Sequence, residues 1–229
     1  MTLVYPIKGP PLSAVTLAVK REVDAVVARF HASQSLTAVG NGNAAIRVPG
    51  EEKLILAGFE GPLKGGPAVT VVVGFDHQVH EGELHYFHEE VLHLHIAVLR
   101  EHPEVNVSIH THSPYLIGWA LANRPLPLRY SPELKHLSVT EIPISAPARR
   151  DDAGPVITTL REHPNAPALL IGNHGLIAWG ADIAGTGDLV IALEEAARFA
   201  LDAEELAATW GAHSLPPPIS AERGLALVR

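Results

Sequence analysis

The chain has 229 residues, 47% of them hydrophobic and 18% charged, with a formal net charge of −8. This balance describes a globular domain with enough chain for a sizeable core, and it excludes a disordered segment or a basic nucleic-acid binder. The absence of cysteine removes disulfides, thiolate ligands and cysteine nucleophiles together, and with no signal-peptide pattern or membrane-length apolar run the expected location is cytoplasmic.

Residues 1–11 are rich in proline and glycine and are expected to form an irregular arm. From Leu12 to Ala32, the residues Val15, Leu17, Val19, Val23, Val26, Val27 and Phe30 recur at helical spacing, with Ser13 as N-cap. Val39-Gly40-Asn41-Gly42-Asn43 reads as a turn-rich element. Strands are expected at 44–48 and 53–57, joined at Pro49-Gly50, and again at 68–74 and 78–84 after a glycine-rich loop. His88 to Glu101 reads as a helix that Pro103 ends.

Next comes an apolar, strand-like run, Val105 to Ile109, ending in His110-Thr111-His112. Ser113 and Pro114 fit the N-cap and first position of a helix reaching Asn123. Pro125 and Pro127 break the chain into an extended segment ending at Arg129-Tyr130, and 137–146 also read as extended. A helix from Asp151 or Asp152 to His163 precedes a strand at 168–172 that ends in Asn173-His174-Gly175. Residues 176–179 are expected to continue that strand past the turn, and a long helix from Gly187 to Trp210 closes the pattern. The tail, 211–229, contains Leu215-Pro216-Pro217-Pro218 and is expected to be mobile or to reach a neighbouring subunit. With strands and helices interleaved, no repeats, and connections too short for parallel crossovers, a mixed or antiparallel sheet covered by helices is predicted, in one domain spanning 1–229.

The two strand ends carry the chemistry. On a strand, residues i and i+2 share a face, so His110 and His112 can aim two imidazoles at one point while Thr111 faces away. His174, at the end of another apolar run, can supply a third. Three neutral imidazoles suit Zn²⁺ and other first-row divalent ions and leave coordination positions open. A lone histidine would more simply be read as a strand cap.

Arg100-Glu101-His102-Pro103-Glu104-Val105, Ile109-His110-Thr111-His112-Ser113, Asn173-His174-Gly175-Leu176 and the Gly42-Asn43 loop together resemble the class II aldolase/adducin family, in the family's order over residues 12–210. The resemblance implies a three-layer α/β/α fold with a central, largely antiparallel mixed sheet. It implies a homotetramer with sites between subunits, acting on a small molecule and not on nucleic acid or membrane. It also implies one divalent ion per chain on His110, His112 and His174, zinc foremost, with Mn, Mg, Fe or Co as alternatives.

The same resemblance points to an acid/base glutamate, with a departure. The family places it four residues before a helix histidine that lies 15 residues ahead of the HxH. His95 fits that histidine, but Val91 occupies the glutamate position. A one-residue adjustment at the helix start would put Glu90 in the role, with Glu89, His88, His93 or no such residue as the alternatives. Tyr130 matches a family tyrosine that donates a proton across the subunit interface, or it is an interface residue without chemistry.

The elements equivalent to the family's phosphate cradle are Asn41-Gly42-Asn43, Phe59-Glu60-Gly61, and Phe87-His88 or His88-Glu89. Their hydroxyls are gone and Glu60 would repel a phosphate, so Asn41, Gly42 and Asn43 are assigned to a different substrate. The implied function is a metal-dependent carbon–carbon lyase, an aldolase or decarboxylase, that stabilises an enolate of a non-phosphorylated, carboxylate-bearing substrate. The alternatives are a sugar-phosphate aldolase or epimerase, a non-catalytic adducin-like homologue, and a metal-binding module that is neither.

Overall fold

The computed structural model describes residues 6–63, 69–129, 134, 136–148 and 152–210, and of Tyr86, Phe87, Glu90 and Trp210 the backbone alone. Its centre is a nine-stranded sheet in the order β1-β5-β4-β3-β2-β6-β11-β10-β9. The strands are β1 (Ile7–Lys8), β2 (Asn41–Arg47), β3 (Lys53–Glu60), β4 (Thr70–Gly74), β5 (Val79–Leu84), β6 (Val107–Thr111), β9 (Ile144–Ser145), β10 (Ala168–Ile171) and β11 (Gly175–Gly180). Every pairing is antiparallel except β9 with β10. A separate two-stranded ribbon joins β7 (Leu126–Pro127) to β8 (Glu141–Ile142).

Helices cover both faces, giving the expected three layers. One core gathers Val23, Val26 and Phe30 of α1 (Ala14–Ala32), Leu116 and Trp119 of α3 (Pro114–Leu121), and Val190 and Leu193 of α5 (Ile183–Trp210), against Val107, Ile109, Leu176 and Ala178 of the sheet. The other packs Leu92, Val98 and Leu99 of α2 (Tyr86–Glu101) and Val156 and Leu160 of α4 (Gly154–Glu162) against Leu54, Leu56, Val71, Ile177 and Trp179. Alternation along β6 follows the pleat: Val107 and Ile109 enter the first core, so Ser108 and His110 face α2.

Local chemistry explains where the elements begin, and several differ from expectation. Ser13 does cap α1, its Oγ accepting from the Thr16 N–H at 3.2 Å. Residues 1–11 are not wholly an irregular arm, because Ile7 and Lys8 pair with Leu84 and Glu83 at the sheet edge. The turn-rich reading of 39–43 holds for Val39 and Gly40, whose Gly40 N–H closes a turn on Thr37 O at 3.1 Å, but fails for 41–43: β2 already begins at Asn41, bonded on one side to β3 and on the other to β6. A ladder on each side outweighs the turn preference of Asn and Gly. Helix α5 starts at Ile183 rather than Gly187, because Asp182 Oδ1 accepts the Gly185 N–H at 2.7 Å. A side chain at Gly187 would meet Val26 of α1 at 2.5 Å, so this glycine permits the close α1–α5 approach.

Ser113 stands at the N-cap of α3 but does not cap it. Its hydroxyl donates to Thr111 Oγ1 at 2.9 Å. The helix's first N–H groups instead reach Glu194 of α5, Tyr115 N at 2.8 Å from Oε1 and Leu116 N at 3.0 Å from Oε2.

Candidate metal centre

The site forms where β6 ends beside the start of β11. Leu176 opposes Thr111 and Ile177 opposes His110 on one side of β6, while Asn43 of β2 opposes His110 on the other. The turn from β10 to β11 carries His174 over this edge. Asn173 takes a left-handed φ of 58°, which asparagine tolerates, and the His174 N–H closes the turn on Ile171 O at 3.0 Å. The ring centroids of His110, His112 and His174 then lie 4.8 to 5.0 Å apart. One nitrogen from each falls within 4.8 Å of the others.

Backbone carbonyls choose the tautomers. His110 Nδ1–H donates to Leu176 O and His112 Nδ1–H donates to Asn41 O, both at 2.8 Å. Each bond leaves Nε2 as the lone-pair nitrogen, the arrangement usual for metal-bound histidine. His110 Nε2 is buried and has no hydrogen-bond partner among the described residues. Such an orphan costs about 1–3 kcal/mol unless something accepts its lone pair. Burial, then the neighbouring His174 and His112, hold His110 well below the usual histidine range. Burial, then His112, lower His174 to about 4. These rings are neutral near pH 7 and need no deprotonation to bind a cation. The donor set therefore fits a divalent ion of borderline softness.

A second layer of contacts was not legible as such in the sequence. His95 of α2 is fully buried. Ser108 O–H donates to its Nδ1 at 2.6 Å, and its Nε2–H donates to Asn43 Oδ1 at 2.5 Å. Burial, then His93, depress it to about 3, so it too is neutral. Asn43 is the cross-strand neighbour of His110, so this chain braces the strand that carries His110. Sequence spacing singles out His95 and Asn43 separately; the i, i+2 rule extended backwards from His110 would have added Ser108.

The other residues expected at the site fall as follows. Asn41 contributes its backbone carbonyl to His112, and Gly42 is buried opposite Thr111 and Phe59. Asn43 spends Oδ1 on His95, which leaves its amide N–H groups as the donors for another partner. Glu60 is half-buried opposite Asn41, and its backbone carbonyl accepts from His31 Nε2 at 2.9 Å. Helix α2 starts at Tyr86, so Glu90 lies in its second turn and not at its start; the Glu90 side chain is outside the described residues, and so is Tyr130. Glu89 is half-buried in the first turn. A groove of about 620 Å³ lies at the opposite end of the sheet, lined by Arg47, Asn106 and Ala181 among others, away from this chemistry. Among the described residues no helix is long and apolar enough to cross a membrane.

Comparison with known proteins agrees with this architecture. L-fuculose 1-phosphate aldolase superposes with a TM-score of 0.72, covering 95% of this chain and 96% of that one at 17% identity. YgbL of Klebsiella pneumoniae, described as a putative aldolase/epimerase/decarboxylase, gives 0.69 over 93% and 98% at 21% identity. In sequence, L-ribulose-5-phosphate 4-epimerase UlaF of Salmonella paratyphi B is 26% identical over 140 residues, 57% of this chain and 60% of the relative. The chain thus spans about 60% of the length of the curated relatives it matches. The model of the class II aldolase and adducin N-terminal domain matches residues 21–201. With that match across most of its length, and the three-layer fold beneath it, the chain belongs to the class II aldolase/adducin family.

Proposed function

We propose that this protein is a divalent-metal-dependent carbon–carbon lyase, an aldolase or decarboxylase, acting on a non-phosphorylated, carboxylate-bearing small molecule. His110, His112 and His174 hold the ion, zinc foremost, one per chain. The observation that carries this reading is the buried Nε2 of His110, without a hydrogen-bond partner among the described residues and close to two further imidazoles. A bound ion supplies Lewis acidity that stabilises the electron pair released as a bond to the reacting carbon breaks.

The chain's own groups do the rest. Hydrogen bonds to Leu176 O and Asn41 O hold two imidazoles in their binding tautomer. The Ser108–His95–Asn43 chain orients the Asn43 amide, with Asn41 and Gly42, toward the substrate side. Glu90 holds the proton exchanged at the reacting carbon, and Tyr130 of a neighbouring subunit the one exchanged at the far oxygen, in a homotetramer of single 1–229 domains. Glu60 disfavours a phosphate dianion, since a second acidic charge in a partly desolvated site costs about 1–3 kcal/mol.

A sugar-phosphate epimerase or aldolase is the second reading, favoured by the name of the 26% identical relative. The test compares turnover of unphosphorylated hydroxy-keto acids and aromatic carboxylates with that of ribulose 5-phosphate and fuculose 1-phosphate, on one metal-loaded preparation. Faster cleavage of the acids is expected, and efficient turnover of a sugar phosphate refutes the substrate assignment. Elemental analysis should find about one ion per chain, lost in His110→Ala. Full metal content in that variant refutes the site.

A further inference from the structure

Helix α3 touches both arms of the histidine cluster. At its start, only Ser113 separates it from His112. Near its end, the Ala120 carbonyl accepts the Asn173 N–H at 3.1 Å and so holds the turn that presents His174. No side-chain hydrogen bond to the His174 ring is present among the described residues. The placement of that ring therefore depends on its backbone turn, and the turn is tied to α3.

Helix α3 is fixed in turn by α5. Both oxygens of Glu194 accept its leading N–H groups, from Tyr115 at 2.8 Å and Leu116 at 3.0 Å. One turn further along α5, the Ala197 carbonyl accepts Trp119 Nε1–H at 3.0 Å. Glu194 is only 5% exposed. Burial pushes its carboxyl up to about 7, against the two N–H bonds and the nearby Arg198, which favour the anion. An acidic side chain in that position is costly to bury.

Capping alone would not require it, because Ser113 already stands at the N-cap, with its hydroxyl turned to Thr111. A serine cap secures a helix only to its own chain end. A carboxylate reaching in from α5 also fixes the helix in space.

We infer that Glu194 is a positioning residue for the histidine triad, acting through α3 on His112 at one end and on the His174 turn at the other. The inference rests on the reading of that triad as a metal site. Ligand geometry must hold to about 0.5 Å for tight binding, so loosening the strut lowers metal affinity even where the fold survives.

The experiment measures zinc affinity by competition with a chromophoric chelator, and the ligand-field spectrum of the cobalt-substituted protein. It uses the full chain as wild type, Glu194→Gln, Glu194→Asp and Val156→Ala. The last is a core truncation on the face of the sheet away from α3 and α5 and serves as a stability control. Glu194→Gln is expected to weaken zinc binding by roughly tenfold to a hundredfold and to alter the cobalt spectrum. Glu194→Asp, one methylene shorter with its charge kept, should fall between Glu194→Gln and wild type. Val156→Ala should lower Tm while keeping affinity within about twofold, because Val156 belongs to the other core from α3 and α5 and leaves the Glu194 contacts in place.

Wild-type affinity in Glu194→Gln overturns the inference, as does an equal loss in the Val156→Ala control. If Glu194→Gln does not fold, unchanged affinity in Glu194→Asp overturns it. Failure of the wild type to bind zinc or cobalt overturns the metal reading itself and the inference with it.

Discussion

His95 is expected to make this protein acid-labile. Its ring is fully buried between Ser108 and Asn43 and is held at about 3, against an ordinary value of 6.5. Because the folded value is depressed, the unfolded chain takes up the proton first. The stabilisation is present above pH 6.5 and is lost as pH falls toward 3. Each unit corresponds to about 1.4 kcal/mol, so about 3 kcal/mol is lost by about pH 4.5, and about 5 kcal/mol over the whole window is a ceiling. His88 and His174, each lowered to about 4, act in the same direction. Glu194 acts in the opposite one: raised to about 7, it contributes stability below 4.5 that disappears as pH rises through 7. A raw pH profile mixes these groups, whereas the difference between wild type and His95→Gln isolates one. Glutamine keeps a donor and an acceptor in the site but cannot be protonated. Urea unfolding of both metal-free proteins, from neutral pH down to about pH 4.5, should show the variant less stable at first and the gap closing by about 3 kcal/mol. Parallel profiles would refute the assignment of a neutral, buried His95.

Gly175→Ala would set a methyl group 2.5 Å from Thr111 O and 3.3 Å from His112 Cδ2; the backbone must part, so a loss of about 2 kcal/mol or more is expected in urea, with reduced metal content. Arg47 donates to the carbonyls of Val105 at 3.0 Å and Leu99 at 2.5 Å, pinning the end of α2 to β2. Arg47→Met should cost about 2–3 kcal/mol in urea yet leave metal content unchanged, because the staple lies at the far end of the sheet. The proposed tetramer should appear in light scattering at micromolar concentration, and a monomer there would exclude a site shared between subunits.

The sequence by itself determined most of the elements and the residue types of the candidate site. Helical periodicity marked α1 and α2, because a stripe of apolar residues at that spacing has one stable burial. The HxH at a strand end required two imidazoles on one face, because the pleat has a period of two. What it misread were positions where a distant partner outweighs local preference. Asn41 and Gly42 look like a turn but lie in β2, because strands on both sides supply the ladder bonds that a turn would forgo. Ser113 looks like the cap of α3, yet Glu194, 79 positions from Tyr115, takes that role.

Only the tertiary structure decided that β6 and β11 are neighbours, which brings His174 to His110 and His112. It alone chose the ring tautomers through Leu176 O and Asn41 O and joined Ser108, His95 and Asn43 into one chain. Those contacts depend on strand order and on backbone carbonyls, which carry no side-chain signature. Local pattern specifies what each segment offers; which segments meet is settled by burying both faces of one sheet at once.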